Sequence, residues 1–393
     1  MSGNAVQPAA RRRIEQSELD AICARHDRLW QAKPGGARAV LAWLDLSGLS
    51  LRGRNLADAD FAAANLIGTD LSGAKLDNAT FFGAVFEADL REGTIAAADA
   101  KLGFRIVEAK VRNDTQAHGA CLAGANLERS KLTGIVAVAA DFSDAIMKDC
   151  KMVRANLKQA SFRGADLSGA DLSGADLSGA DLRDAVLVGV KSSMWRTDGA
   201  NMTGVLTDER SSGSPVGKMP AADMLAEHAQ WCETGGAEGR PSVFDGVDLR
   251  ALRSIRGYNL TALSARGAVF YGLDMEGVQL QGAHLEDADL RSVNLKGADL
   301  RGARLARARL NGADLRGAQL GPLMITADRL LPADLTGVCL RGTDLSGADL
   351  NRAIMTGADL SRAILFGACL REAELVDAIT KGARGLETMD AVA

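Results

Sequence analysis

Aromatic residues make up only 4% of this 393-residue chain, although 47% of its residues are hydrophobic. Ordinary globular cores lean on large aromatic anchors. This core must instead be assembled from Ala, Leu and other small or medium side chains. Histidine is scarcer still, with His26, His118, His228 and His284 at no zinc-site spacing. The six cysteines (Cys23, Cys121, Cys150, Cys232, Cys339 and Cys369) are scattered, with no CxxC pair and no metal-like cluster with His. That excludes the common thiol and metal motifs and leads us to expect reduced thiols and a cytoplasmic location. No apolar run is long enough to span a membrane, and no signal-like apolar stretch follows the basic run Arg11 to Arg13, so no membrane partner is expected. Neither sign of charge dominates: 46 Lys and Arg face 50 Asp and Glu, a net charge of −4. This excludes a strongly basic surface for direct nucleic-acid binding and argues against a strongly acidic imitation of one. There is no GxSxG, P-loop or dinucleotide fingerprint, so no catalytic residue, metal or cofactor is expected.

What the chain has in abundance is Gly, 43 of them, and a beat of five residues. In RGADLSGADLSGADLSGADLRDA, from Arg163 to Ala185, the residues Leu167, Leu172, Leu177 and Leu182 fall five apart. Each is preceded by Asp and, one residue earlier, by Ala. A helix repeats near 3.6 residues and a strand near 2, so neither fits. A square coil does fit. Each five-residue unit forms one short side, four units close a coil of twenty, and stacked coils pair as parallel ladders about 4.8 Å apart. Leu and the preceding Ala point inward, and Gly relieves the corners. Each coil buries its core only against its neighbours, which makes the architecture a solenoid.

The beat runs from Leu46 through Phe86, slips, returns at Leu122 and fades near Met202. A second run starts with Phe244 and Leu249, slips, resumes at Leu260 and then holds every fifth residue from Phe270 to Leu375. This A-(D/N)-L-x-x pattern resembles that of the pentapeptide repeat family over most of residues 41–207 and 242–382. The resemblance implies an all-β solenoid, a right-handed quadrilateral parallel β-helix, in two segments. Each segment has a non-repeating leader that reads as a short α-helical cap ending near a Gly pair. His26 precedes Arg38 at the spacing that separates His228 from Arg240, and Trp30 and Trp231 hold similar places, so we read leader plus solenoid as duplicated. The expected division is a leader at 1–40, a first solenoid at 41–207, a linker (polar and Gly/Ser/Pro-rich over 207–220) and second leader at 208–241, a second solenoid at 242–382, and a tail at 383–393. A cap would cover the apolar end and unpaired edge of a first coil. Partner recognition by His228, Trp231 and Arg240 is the alternative.

Three irregularities mark candidate sites. Residues 87–121 drift out of register, and VRNDTQAHG, from Val111 to Gly119, is the expected extruded loop, with Val111, Arg112, Asn113, Asp114 and His118 as candidate contacts. Trp195 stands where an inward Ala belongs, so the coil should distort or turn it outward. Pro322 and Pro332 bracket a unit with Leu323 in place of Ala and should occupy turns. Tyr271, Met324, Leu331, Ile354, Ile364, Phe366 and Val376 fall at outward positions, and the Ile364–Phe366 pair near the C-terminal end is the candidate contact patch. A period of twenty stacks Asp274, Asn294, Asp314, Asp334, Ile354 and Glu374 in one column. The column beside it, with Glu276, Lys296, Arg316, Thr336, Thr356 and Val376, supplies compensating cations.

The leading functional expectation is a non-catalytic protein-interaction or scaffold protein, its partner unidentified. The resemblance supplies an alternative, because some family members protect DNA gyrase or topoisomerase IV by imitating DNA, and some carry projecting loops. A type II topoisomerase is the partner that alternative implies, but duplex DNA carries about one charge per 1.7 Å of axis, and a net charge of −4 falls far short of that. Self-association through the C-terminal end is a further expectation.

Overall fold

A computed structural model describes residues 11–86, 115–209, 220–326 and 328–386. The chain divides into two compact units, Met1–Asp208 and Glu209–Ala393.

In both units the pentapeptide is one side of a four-sided coil. Its geometry is clearest at Leu167. The Leu167 N–H donates to the Val186 carbonyl of the next coil at 2.9 Å, and the Asp166 N–H donates to Ala145 of the previous one at 2.9 Å. Each side therefore contributes only an isolated parallel bridge, as in Ile146↔Asp166↔Val186. The corner is closed by the Ala170 N–H, which donates to the Leu167 carbonyl at 3.0 Å. Gly169 takes φ +69 at this corner, and a Cβ there would lie 2.3 Å from Asp149 Oδ1, so both conformation and space favour Gly. The Asp of the repeat has a local task. Asp166, Asp171, Asp176 and Asp181 each accept, through Oδ1, the backbone N–H two residues on at 3.1 Å. That bond braces the turn, which is why Asp and Asn recur beside the corner.

Inside, Leu and Ala columns are fully buried. Complete burial of one Leu is worth about 1.5–3 kcal/mol. Where a ring replaces Leu, the coil spacing stacks it on its neighbour: Phe61 on Phe81 at 4.6 Å and Phe142 on Phe162 at 5.0 Å between centroids. Where a hydroxyl occupies the Ala slot, it reaches a carbonyl of an earlier coil. Thr69 donates to Leu46, Ser130 to Phe81 and Thr343 to Leu310. No buried hydroxyl is stranded at these three positions.

Each unit opens with a helix. α1 (Gln16–Trp30) buries Leu19, Cys23 and His26 along one stripe, and α2 (Ala221–Glu233) buries Leu225 and His228. Ahead of α1, β1 (Arg12–Arg13) pairs in parallel with β2 (Leu44–Asp45), adding an outer rung to the first coil. This rung has no counterpart in the periodic pattern. In the second unit the early slip is a single 3-10 turn at Arg250–Leu252, and the core register is back by Ile255, earlier than expected.

The register differs from the expectation in two places. In the first unit Asp70 pairs with Gln116 and Val85 with Lys131, 46 residues on rather than 20, so 26 residues are additional while the stack continues unbroken. The coil resumes at Thr115, not at Leu122. Thr115 Oγ1 lies 2.8 Å from both the Leu66 and Phe86 carbonyl oxygens and ties the ends of the insertion to the core. In the second unit Arg304 pairs with Asp334 and Asp314 with Asp344, 30 residues on, so ten residues leave the coil. They form a hairpin, β3 (Leu323–Thr326) antiparallel to β4 (Arg329–Leu331). Ile325 and Leu330 keep the beat of five but stand on the hairpin, not in the core. The outer columns shift accordingly. Above Asp314 stand Asp344, Ile364 and Arg384, while Asp334, Ile354 and Glu374 continue the column of His284 and Arg304.

Candidate partner-binding surfaces

The leader residues divide into buried clamps and exposed neighbours. His26 is fully buried. Its Nδ1 accepts the Ala39 N–H at 3.0 Å, and its Nε2 faces the Trp30 Nε1–H donor at 3.1 Å. In the second unit His228 Nδ1 accepts the Ser242 N–H at 3.0 Å, and Nε2 stands 3.1 Å from the Thr261 carbonyl. At His228 an acceptor at Nδ1 and a donor at Nε2 define the neutral Nε2–H tautomer. Burial lowers the pKa of both imidazoles, which agrees with that assignment. The His228 ring thus ties the chain entering its first coil to a corner of that coil, and the His26 ring ties the entering chain to Trp30 of α1. His228 has no nitrogen left for a partner. Around these clamps the leaders differ. Trp30 is exposed, whereas Trp231 is half-buried, with the corner of Gly236 against its indole. Arg38 Nε donates to the Asp58 carbonyl, whereas Arg240 Nε pairs with Glu227 Oε2 at 2.6 Å in solvent.

The expected loop separates into two parts. Val111, Arg112, Asn113 and Asp114 lie outside the described residues. His118 sits on an exposed corner of a regular coil, with its carbonyl accepting the Gly73 N–H, so residues 115–121 are not an extruded loop. Trp195 also corrects its expectation. Its coil neither distorts nor expels it. Arg196 bridges Asp176 in register, and the half-buried indole packs against the core. The side chain fits because this is the last coil of the first unit, where the inward column ends and a ring can spread. A cleft of about 580 Å³ on the same unit is lined by Val138, Lys158, Gln159, Ser178, Gly179, Arg196 and Asp198. Its charges are internally matched, with Lys158 3.3 Å from Asp176 and Arg196 3.7 Å from Asp198.

Large apolar side chains stand outward in the second unit. Phe366 is 53% exposed on the corrected column above Ser346, beside the half-buried Ile364. Val376 and Ile379 are exposed farther along, where the Leu370 and Leu375 positions are only half-buried. The hairpin adds Met324, Ile325 and Leu330. Sequence reasoning placed Met324 outward but assigned Ile325 and Leu330 to the core. Tyr271 and Ile354 are half-buried.

The outward carboxylates are compensated. Arg183 chelates Asp181, Arg291 chelates Asp289, Arg301 chelates Asp299 and Arg316 chelates Asp314, each pair two residues apart on one side of a coil. The Arg183 and Arg316 guanidiniums hold the Asp181 and Asp314 carboxyls below the usual carboxylate range. Among the described residues no group of His, Cys, Asp and Glu gathers as a metal site would require. No helix of the described residues is long and apolar enough to cross a membrane. The six thiols are free, and burial pushes those of Cys23 and Cys121 up to about 11, far from a reactive thiolate.

The family model described as pentapeptide repeats matches this chain in eight copies, over residues 45–83, 120–159, 150–189, 283–321, 333–367 and 343–379. Its matches stop at 321 and resume at 333, on either side of the hairpin. Among solved structures the chain is similar to HetL, a pentapeptide repeat protein involved in heterocyst differentiation regulation from the cyanobacterium Nostoc, at 24% identity over 85% of this chain and 90% of that one, with TM-score 0.20. Rfr23 from the cyanobacterium Cyanothece matches at 26% identity over 37% of this chain and 91% of that one, with TM-score 0.26. QnrB1, a plasmid-mediated fluoroquinolone resistance protein, matches at 16% identity over 71% of this chain and 91% of that one, with TM-score 0.16. No curated protein matches the chain in sequence.

Proposed function

The chain is a pentapeptide repeat protein, a right-handed quadrilateral β-helix in each of its two units, and from that premise we propose that it is a non-catalytic interaction scaffold acting in the cytoplasm. The observation that carries this reading is Phe366. It is 53% exposed on an outer column whose backbone is fixed by the ladder Asp314↔Asp344↔Ile364. A rigid side displays such a group at little entropic cost, which is what a binding surface needs. Capture of partners by the immobilised protein, identified by mass spectrometry and repeated with Phe366→Ser, tests it. A partner held by the native protein and released by the variant supports the scaffold. Turnover of a substrate by the purified protein would overturn it.

The topoisomerase-protecting reading draws no support from the charges. Its acidic columns would have to stay uncompensated to imitate a duplex, and Arg183, Arg301 and Arg316 neutralise the carboxylates beside them. A supercoiling assay with gyrase and a quinolone judges this reading directly. Self-association through the last coil of the second unit has a specific motive in the half-buried Leu370 and Leu375 and the exposed Val376 and Ile379. Sedimentation that shows only monomer at high concentration would remove it.

A further inference from the structure

The hairpin of the second unit has two unlike faces. Cross-strand partners share a face, and residues along a strand alternate. Leu323 pairs with Leu331, and this pair faces the solenoid. A Cβ on Gly302 would meet Leu323 Cβ at 2.8 Å and Leu331 Cδ2 at 3.2 Å, so the missing side chain at that corner is what seats the hairpin. Met324 pairs with Leu330, and this pair faces away. Met324 is 68% exposed and Leu330 41%, and Ile325, at the irregularity in the ladder, is 49% exposed. An insertion kept only because it is harmless has no reason to place three large apolar side chains in water after anchoring itself with two others.

The surroundings are cationic. Residues 299–334 hold six Arg and four Asp, a net +2 in a chain whose total is −4. Arg304, beside the Gly302 corner, has its side chain 53% exposed, whereas Arg301 on the other side of that corner is held by Asp299 at 2.6 Å. Arg329 is exposed on β4 itself. Arg304 has only a loose partner, Glu286 at 3.8 Å.

We propose that this outer face, Met324, Ile325 and Leu330 beside Arg304 and Arg329, docks an acidic, apolar segment of a partner protein. The proposal rests on the scaffold reading and gives that scaffold a surface and a partner chemistry. Charge complementarity selects acid. Three apolar side chains suit a short segment better than a folded domain. An anionic bilayer is the poorer occupant. The strands meet at a polar end, with Thr326, Asp328 and Arg329, while the apolar pair lies nearer the base, and insertion needs the reverse.

Selection of a displayed library of random short peptides on the full-length protein tests the proposal. The enriched peptides should carry Asp or Glu among Leu, Ile or Val. A synthetic copy of the best should lose about tenfold or more in affinity to the Met324→Asp, Leu330→Asp double variant, and again to Arg304→Glu. Leu323 and Leu331 are untouched, so the hairpin anchor remains, and an unchanged circular dichroism melt verifies the fold. Enrichment of basic peptides, or of peptides indifferent to both variants, overturns the hairpin proposal and leaves the scaffold standing. Binding to phosphatidylserine vesicles that the double variant abolishes overturns it in favour of a lipid surface. No enrichment at all also overturns it, and the Phe366 capture then judges the scaffold reading separately.

Discussion

The two helical caps perform one task with different accessories. In both, a buried imidazole accepts, at Nδ1, an N–H from the chain as it enters the first coil. The first cap adds the β1 rung, the Arg38 bond to Asp58 and a largely exposed Trp30 whose Nε1–H donates to His26 at 3.1 Å. The second has a half-buried Trp231 and a solvent-side pair between Arg240 and Glu227. The shared element is the one that satisfies buried backbone groups. The elements that differ lie where water could satisfy the same groups. A cap must therefore close the hydrogen-bond account of the first coil, and the rest of its surface is free to diverge.

The largest test of this comparison removes the shared element. His26→Leu strips the Ala39 N–H of its partner, and His228→Leu strips the Ser242 N–H. An unsatisfied buried group costs about 1–3 kcal/mol, so hydrogen exchange at the affected amide should speed up by about 10- to 100-fold. Each substitution should act on its own cap. A substitution that leaves its amide as protected as before would mean that helix packing alone holds the cap.

Acid should act on both caps in the same direction. Burial lowers each imidazole below the ordinary value of 6.5. Above pH 6.5 both docked and released states are neutral, and the stabilisation is complete. As pH falls below that value the released state takes up a proton first, and stabilisation drains away until the docked ring titrates too. The Ala57 carbonyl, Asp27 and Asp58 favour the imidazolium at His26, with Arg38 opposing, whereas only the Thr261 carbonyl favours it at His228. The second cap should therefore lose more protection between pH 6.5 and mildly acid conditions. Exchange at Ala39 and Ser242, corrected for its intrinsic pH dependence, reads the two separately. Equal or reversed sensitivity would show that the carboxylates near His26 are too well solvated to matter.

Much of this architecture can be read from the period, because each side of a coil repeats the same demands: a Leu to fill the interior, a small residue where space is short, and an Asp to brace the turn. The two insertions show where such reading succeeds and fails. The 26 additional residues of the first unit are one more than a multiple of five, so the register slips visibly. The ten of the second are two full periods, so Ile325 and Leu330 stay in phase and pass for core. Only Pro322, Pro332 and the oversized Leu323 betray the hairpin, since a proline cannot donate to a ladder. Trp195 departs from the pattern for a different reason: periodicity shows what an inward column holds but not where the stack ends. The outer face of the hairpin was half-visible, through Met324, because exposure there depends on Gly302, more than twenty residues earlier in the chain.

The smallest test concerns the accessories. Arg38 gives its Nε–H to the Asp58 carbonyl, a group of the first coil, so Arg38→Ala should quicken exchange around Ala39 by a few-fold, in the range expected for one modest net hydrogen bond. Arg240 instead joins Glu227 of α2 through a pair that stands in solvent. Salt and the entropy of two long side chains offset most of such an attraction. Arg240→Ala should leave exchange at Ser242 unchanged at physiological salt. Should it instead loosen the second cap as much as Arg38→Ala loosens the first, the two Arg residues would be equivalent after all. The spacing that aligns them in the sequence would then reflect a shared role alongside the histidines, and the cap would comprise two necessary side chains rather than one.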